Sequence, residues 1–205
     1  MMDFRPPLTL EGRYLRLVPL VQGHVDGLVR AGKDPEIWRW MQYGYSGTPE
    51  GMQRLVELLL TRQSAGTDLA FTILLKPDDT PIGMTRYLGI DRANRNVEVG
   101  GTWLDSSLWR TPLNSDSKLR MLSNAFDTEG CARVQIKTDV RNIRSQRAIE
   151  RLGAQREGLL RQHMVRFDGT FRDSVVYSIL RAEWPETRQR LKKAVEGDWT
   201  PPARG

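Results

Sequence analysis

Cysteine and histidine are scarce in this chain. Cys131 is the single cysteine, so no intrachain disulfide can form. It lies between Gly130 and an alternating apolar stretch, with no histidine near in sequence. It therefore reads as a small buried hydrophobe and not as a nucleophile. The two histidines, His24 and His163, form no metal-ligand spacing with it, and no metal is expected. Apolar runs of bilayer length are absent, so no membrane partner is expected. The opening MMDFRPPLTLEG lacks the basic-then-apolar order of a signal peptide, which points to a cytoplasmic protein. Repeats, low-complexity segments and the regular strand-helix alternation of a dinucleotide-binding fold are missing too.

Apolar residues make up 39% of the 205 positions and charged residues 27%, the balance of a soluble globular chain. The length fits one domain over 1–205, with a core at about 12–184 and a C-terminal helix and tail at 185–205. The net charge of +6 favours anionic partners. The basic residues are scattered, except for Arg141, Arg144, Arg147 and Arg151. No compact basic stripe interleaves with aromatics, so direct nucleic-acid binding is not expected.

Alternation over 12–19 predicts a strand ended by Pro19, and Val25, Leu28 and Val29 predict a helix over 22–32. Asp34-Pro35 opens a short helix to Trp40, and Thr48-Pro49-Glu50 opens an amphipathic helix to about Gly66. Residues 69–76, 81–91 and 96–104 read as an antiparallel meander. The block 109–153 changes rhythm: loop, helix, strand over 132–138, then a helix stopped at Gly153. A hairpin follows over 155–180 with its turn at Asp168-Gly169, then a charged helix from Glu183, with 198–205 frayed. The class is α+β: a mixed, mostly antiparallel central sheet with helices on both faces.

Three stretches carry candidate chemistry. Glu98 stands mid-strand between two valines and ahead of Gly100-Gly101. Strict alternation puts Glu98, Gly100, Thr102 and Leu104 on one side, and Val97, Val99, Gly101 and Trp103 on the other. The glycine pair marks a bulge or the close approach of a ligand or backbone. A partly desolvated carboxylate suits a general base, and the same spacing also suits a glutamate on an open sheet face paired with an arginine. Next, the loop 109–116 feeds a helix start that Asn114 or Ser115 can cap, with Lys118 one turn in. Last, Asn142 can cap the following helix, which leaves Ser145 near the same open end.

Together these residues resemble the GNAT superfamily of acyl-CoA-dependent N-acyltransferases, and within it the RimJ/RimL-type branch. The resemblance spans about Gly12 to Trp184. It rests on Asn142-x-x-Ser145 followed by Arg151-Leu152-Gly153-Ala154, on Val97-Glu98-Val99, on Trp109 and on Glu157-Gly158 with Asp168-Gly169 and Arg172-Asp173. It implies that acyl-CoA lies between two splayed strands, here Asn96–Leu104 and Arg133–Asp139. The backbone at Trp103 and Leu104 would pair with the pantetheine amides. Arg110, Leu113, Asn114 and Ser115 would cradle the pyrophosphate, with Lys118 adding charge. Asn142 would hydrogen-bond the pantetheine arm. Glu98 would act as general base and Ser145 would assist the leaving thiolate, because Ile149 stands where many members carry a tyrosine. The family's loop glycines are replaced by Pro112 and Asn114.

The implied activity is transfer of an acetyl or other short acyl group to a primary amine, a peptide N-terminus or a small molecule. The acceptor would approach from the side of Trp38, Trp40, Tyr43 and Tyr45, and of His163, Arg166, Phe171, Arg172 and Asp173. Arginines there suit an acidic group, such as a succinyl chain. A non-catalytic acyl-CoA-binding module on the same fold is the alternative, and the branch implies possible homo-oligomers.

Overall fold

The computed structural model describes residues 2–4 and 8–201. One sheet of eight strands forms the centre: β1 (Leu10–Glu11), β2 (Leu15–Pro19), β3 (Asp68–Leu75), β4 (Thr80–Asp91), β5 (Asn96–Leu104), β6 (Arg133–Asp139), β7 (Gln155–Val165) and β8 (Phe171–Leu180). The spatial order is β1-β2-β3-β4-β5-β6-β8-β7. All neighbours are antiparallel except β5 and β6, which run parallel.

Two apolar layers cover the two faces. On one, α3 (Leu113–Ser123), α4 (Ile143–Leu152) and α5 (Trp184–Val195) join Val97, Val99, Val134, Ile136 and Tyr177 in the larger core. On the other, α1 (Val25–Ala31) and α2 (Pro49–Ser64) bring Leu28, Met52, Leu55, Val56 and Leu59 against Ala70, Met84 and Trp103. Each helix puts an apolar stripe at i, i+3, i+4 spacing onto the sheet, as amphipathic helices must. Thr48 caps α2 by accepting from the Gly51 amide at 3.0 Å, with Pro49 at the first position. None of the helices is long and apolar enough to cross a membrane.

Apart from β1, which the sequence reading did not include, the strands and the longer helices match the sequence expectations within one to three residues. The short helix expected after Asp34 is only a 3-10 turn over Pro35–Ile37. Asp34 caps it and the Trp38 indole donates back to the Gly32 carbonyl at 2.8 Å, which turns the chain inward. α3 runs on into a π-helical turn over Asn124–Thr128. Of the tail expected to fray, residues 202–205 lie outside the described residues.

The strict alternation expected of β5 fails at Gly101. Arg86 pairs with Gly100 and Met84 with Trp103, so Thr85 faces both Gly101 and Thr102. Gly101 takes φ +58°, the left-handed conformation of a bulge. A Cβ there would stand 2.8 Å from Arg86 Nε. The extra residue swaps the sides. Val97, Val99 and Leu104 lie in the α3 core, whereas Trp103 lies in the α1–α2 core. Glu98, opposite Val97 and Val99, therefore shares the face of Trp103, and Thr102 turns to α3.

Candidate active site

β5 and β6 pair only over Asn96–Arg133, Val97–Val134 and Glu98–Gln135. Beyond Glu98 they diverge, and from Val99 to Leu104 β5 has β4 on one side and no strand on the other. The opening lies where the resemblance expects the pantetheine arm. The Trp109 indole donates to the Leu104 carbonyl at 3.0 Å and so ties the following loop to this strand.

At one side of the opening stands the start of α3. The expected cap by Asn114 or Ser115 is not formed: Pro112 occupies the cap position and no side chain caps the helix. The first intrahelical bond runs from the Asp116 amide to the Pro112 carbonyl at 2.9 Å. The amides of Leu113, Asn114 and Ser115 therefore lack intrahelical acceptors. Leu113 itself is fully buried. Two cations crowd this end. Arg110 is exposed, has φ +64° and makes no hydrogen bond or ion pair among the described residues. Arg144 of α4 lies 3.6 Å from the centroid of the Trp109 ring. Burial lowers the Arg144 pKa, and the neighbouring Arg110 lowers it further. Free amides, a helix dipole and two arginines outside any ion pair among the described residues suit a bound phosphate.

Lys118 takes a different direction from the one expected. It turns inward and donates to Thr102 Oγ1 at 2.6 Å, beneath the opening. Thr102 in turn lies 2.8 Å from the Thr85 hydroxyl. Among the described residues no carboxylate pairs with the ammonium, and burial lowers its pKa to about 7. The pattern of α3 conceals this, because Asp116, Ser117 and Lys118 are three consecutive polar residues and yet all three are buried. Asp116 ties α3 to the start of the sheet by accepting the Tyr14 amide at 2.8 Å.

At the other side stands the start of α4. Asn142 caps it, its Oδ1 accepting the Ser145 amide at 3.1 Å, as expected. This leaves Asn142 Nδ2 and Ser145 Oγ without partners among the described residues. Tyr177 reaches α4 from below and donates to Glu150 at 3.0 Å. Burial, then Glu150, pushes its pKa up to about 12.

Glu98 is half-buried on the face away from α3 and is already engaged. Lys137 Nζ is 2.8 Å from its Oε2, and Gln135 donates to the same oxygen at 3.2 Å. The structure thus has the ion-paired arrangement, with a lysine in place of the arginine weighed from the sequence. His163, weighed only as an acceptor-side residue, stands in the same cluster with Nδ1 3.1 Å from Ser174 Oγ. Its pKa is lowered by burial, then by Lys137 and Arg172, so the ring is neutral at pH 7. Asp139 is fully buried between Arg166 Nη2 at 2.6 Å and Arg141 Nε at 3.5 Å.

The two acceptor-side segments do meet. The Phe167 ring packs on Gly44, and Trp40 lies between the guanidinium groups of Arg39 and Arg141 at 5.1 and 5.0 Å. Trp38 belongs instead to the core, 5.0 Å from the Trp103 ring. Tyr43 accepts from Arg86, whose guanidinium pairs with the buried Asp68 at 2.9 Å. Cys131 is buried and inert, its thiol pushed up to about 12, chiefly by burial. Among the described residues no cluster of His, Cys, Asp or Glu has the makings of a metal site.

A strand pair that opens beside a bulge, between two helix starts, is the arrangement that the resemblance to acyl-CoA-dependent transferases leads one to expect. Residues 14–155 match the family model of the acetyltransferase (GNAT) domain, and the chain belongs to that family. It is an N-acyltransferase by fold and kinship. It is 24% identical over 176 residues to the uncharacterized N-acetyltransferase p20 of Bacillus licheniformis, covering 86% of this chain and 98% of that protein. A GCN5-related N-acetyltransferase from Brucella melitensis superposes with a TM-score of 0.85 at 28% identity, over 94% of this chain and 87% of its own. Mycobacterium smegmatis RimJ, solved with CoA-disulfide, shares the fold with a TM-score of 0.80 at 20% identity, over 98% of this chain and 100% of its own.

Proposed function

We propose that the chain moves a short acyl group, acetyl foremost, from acyl-CoA to a primary amine by direct attack in a ternary complex. The observation that carries this reading is the parting of β5 from β6 just after Glu98, flanked by the uncapped start of α3 and the Asn142 start of α4. The fit to acyl-CoA is local. Three free amides and Arg110 and Arg144 suit the phosphates. The edge of β5 at Trp103 and Leu104, which no strand covers, suits the pantetheine amides, and Asn142 Nδ2 can donate to the same arm. Pro112 and Asn114 deny the loop its glycines, and the two arginines compensate by charge.

In this scheme Glu98 accepts a proton from the incoming ammonium, backbone amides at the opening polarise the thioester carbonyl, and Ser145 Oγ donates to the departing thiolate. The acceptor, a peptide N-terminus or a small amine, approaches between Trp40 and the β7–β8 hairpin. A second reading makes His163 the base, because it is neutral and Glu98 is held by Lys137. The pH–rate profile decides. If Glu98 is the base, Glu98→Gln lowers kcat by about 100-fold or more and flattens the rise with pH, while His163→Asn changes it by less than about tenfold. The reverse pattern assigns the proton to His163.

The first test is binding. Acetyl-CoA at 100 times its dissociation constant stabilises the fold by about 2.7 kcal/mol. A rise in melting temperature with thiol release over an amine panel supports the transferase. A rise without release supports a binding module, and no rise removes both.

A further inference from the structure

The cluster around Glu98 leaves one cation unpaired among the described residues. Its anions are Glu98 and Asp139. Glu98 is taken by Lys137, and Asp139 by Arg166 and Arg141. Asp173, the next carboxylate along β8, accepts the Gln162 amide at 2.7 Å. Arg172 is left over. Among the described residues its guanidinium makes no hydrogen bond and no ion pair, and its Nε is buried with no acceptor. Burial lowers its pKa, with Asp139 and Glu98 the carboxylates near enough to oppose that.

Its position follows from register. Asp139 lies opposite Ser174, so Arg172, two residues from Ser174, shares the face that carries Gln135, Lys137 and Asp139. That is also the face of Glu98, reached by both Gln135 and Lys137. Arg172 therefore stands on the side of the opening away from α3. The uncapped start of α3, where phosphates fit, belongs to the opposite layer.

We propose that Arg172 is the receptor for one carboxylate carried by a substrate, so that the chain selects a carboxylated reactant. The inference rests on the acyl-transfer reading of the opening and names a substrate feature that this reading leaves open. A guanidinium offers a planar fork that a carboxylate fills with two parallel hydrogen bonds, and a partly desolvated arginine is the setting in which such a pair is strong. The pairing favours a single carboxylate, because Arg172 is the one cation of this cluster left without a partner among the described residues. A phosphate dianion needs a second unpaired cation, and Lys137 and Arg166 are both engaged. Two sources supply the same chemistry: the far end of a dicarboxylic acyl group, or a carboxylate on the amine acceptor.

Two arms separate the sources. In the first, succinyl-CoA is compared with butyryl-CoA at a fixed amine. In the second, free amino acids are compared with their carboxamides, with acetyl-CoA as donor. Each arm is read as kcat/KM by thiol release and as the melting temperature of the complex. The expected result is a preference of about tenfold to hundredfold for the carboxylated member in one arm. Arg172→Met should collapse that ratio to within about twofold, and Arg172→Lys should keep part of it. A preference in the first arm assigns the carboxylate to the acyl group, and in the second to the acceptor. Ratios near one in both arms, or a ratio that survives in Arg172→Met, overturn the proposal. Acetyl-CoA alone tests the acyl-transfer reading separately: a melting shift with it, beside flat ratios, sinks the carboxylate receptor and leaves the transferase standing.

Discussion

At Lys118 two requirements conflict. α3 must pack closely on the sheet, and an ammonium is most stable in water. The fold buries Lys118 against Thr102, with a pKa near 7 in place of the usual value of about 10.4. Between those values the unfolded chain holds the proton and the folded chain does not. Stability therefore rises with pH from about 7 upward, and the burial penalty is complete below 7. Lys118→Met removes the titration. Its gain in melting temperature over the parent should be largest at pH 6 and shrink by pH 9, measured by calorimetry, and parallel curves would contradict the assignment. Residues whose chemistry is local were legible in the sequence: Asn142 caps α4 as its spacing says, and Cys131 is buried and inert. Lys118 and Arg172 were not, because where a long side chain points depends on what it packs against, and β5 and β6 come from elsewhere in the chain.

Among the elements, β5 carries the most information and misled the alternation most. Its limits were legible to the residue, and Gly100-Gly101 announced a bulge. The change of side beyond it was not legible, because alternation counts residues and a bulge adds one without a partner. Gly101→Val tests the bulge. A β-branched residue at φ +58°, with its Cβ beside Arg86 Nε, should cost about 1–3 kcal/mol in chemical denaturation. It should also weaken acetyl-CoA binding far more than any similarly destabilising substitution remote from the opening. Loss of stability with unaltered affinity would show that the bulge only serves packing. The start of α3 was half legible. A helix start in this loop was expected with Asn114 or Ser115 as its cap, but the helix begins at Leu113, which puts both residues inside its first turn and leaves three amides uncapped.

For the whole molecule, the order of elements along the chain was legible from periodicity and turns, while the order of strands in the sheet was not. β6 slips between β5 and β8 although its chain neighbours are helices, and the family resemblance supplied only its place beside β5. The consequence lies in how the sheet is joined. Strands β1 to β5 and strands β6 to β8 are each stitched along most of their lengths, yet the two halves meet across three rungs between β5 and β6. Apart from the two-residue edge strand β1, no strand in the sheet is joined to its neighbour so narrowly. A strand-like ligand in the gap acts as a splint across that junction. In hydrogen–deuterium exchange, amides of residues 99–104 that face the gap should exchange quickly in the free protein and slow when acetyl-CoA is added, and those of β6 beyond Gln135 should follow. On the proposed reading the substrate adds a strand where the two halves of the sheet are least joined, so that loading stiffens the molecule as well as feeding the reaction.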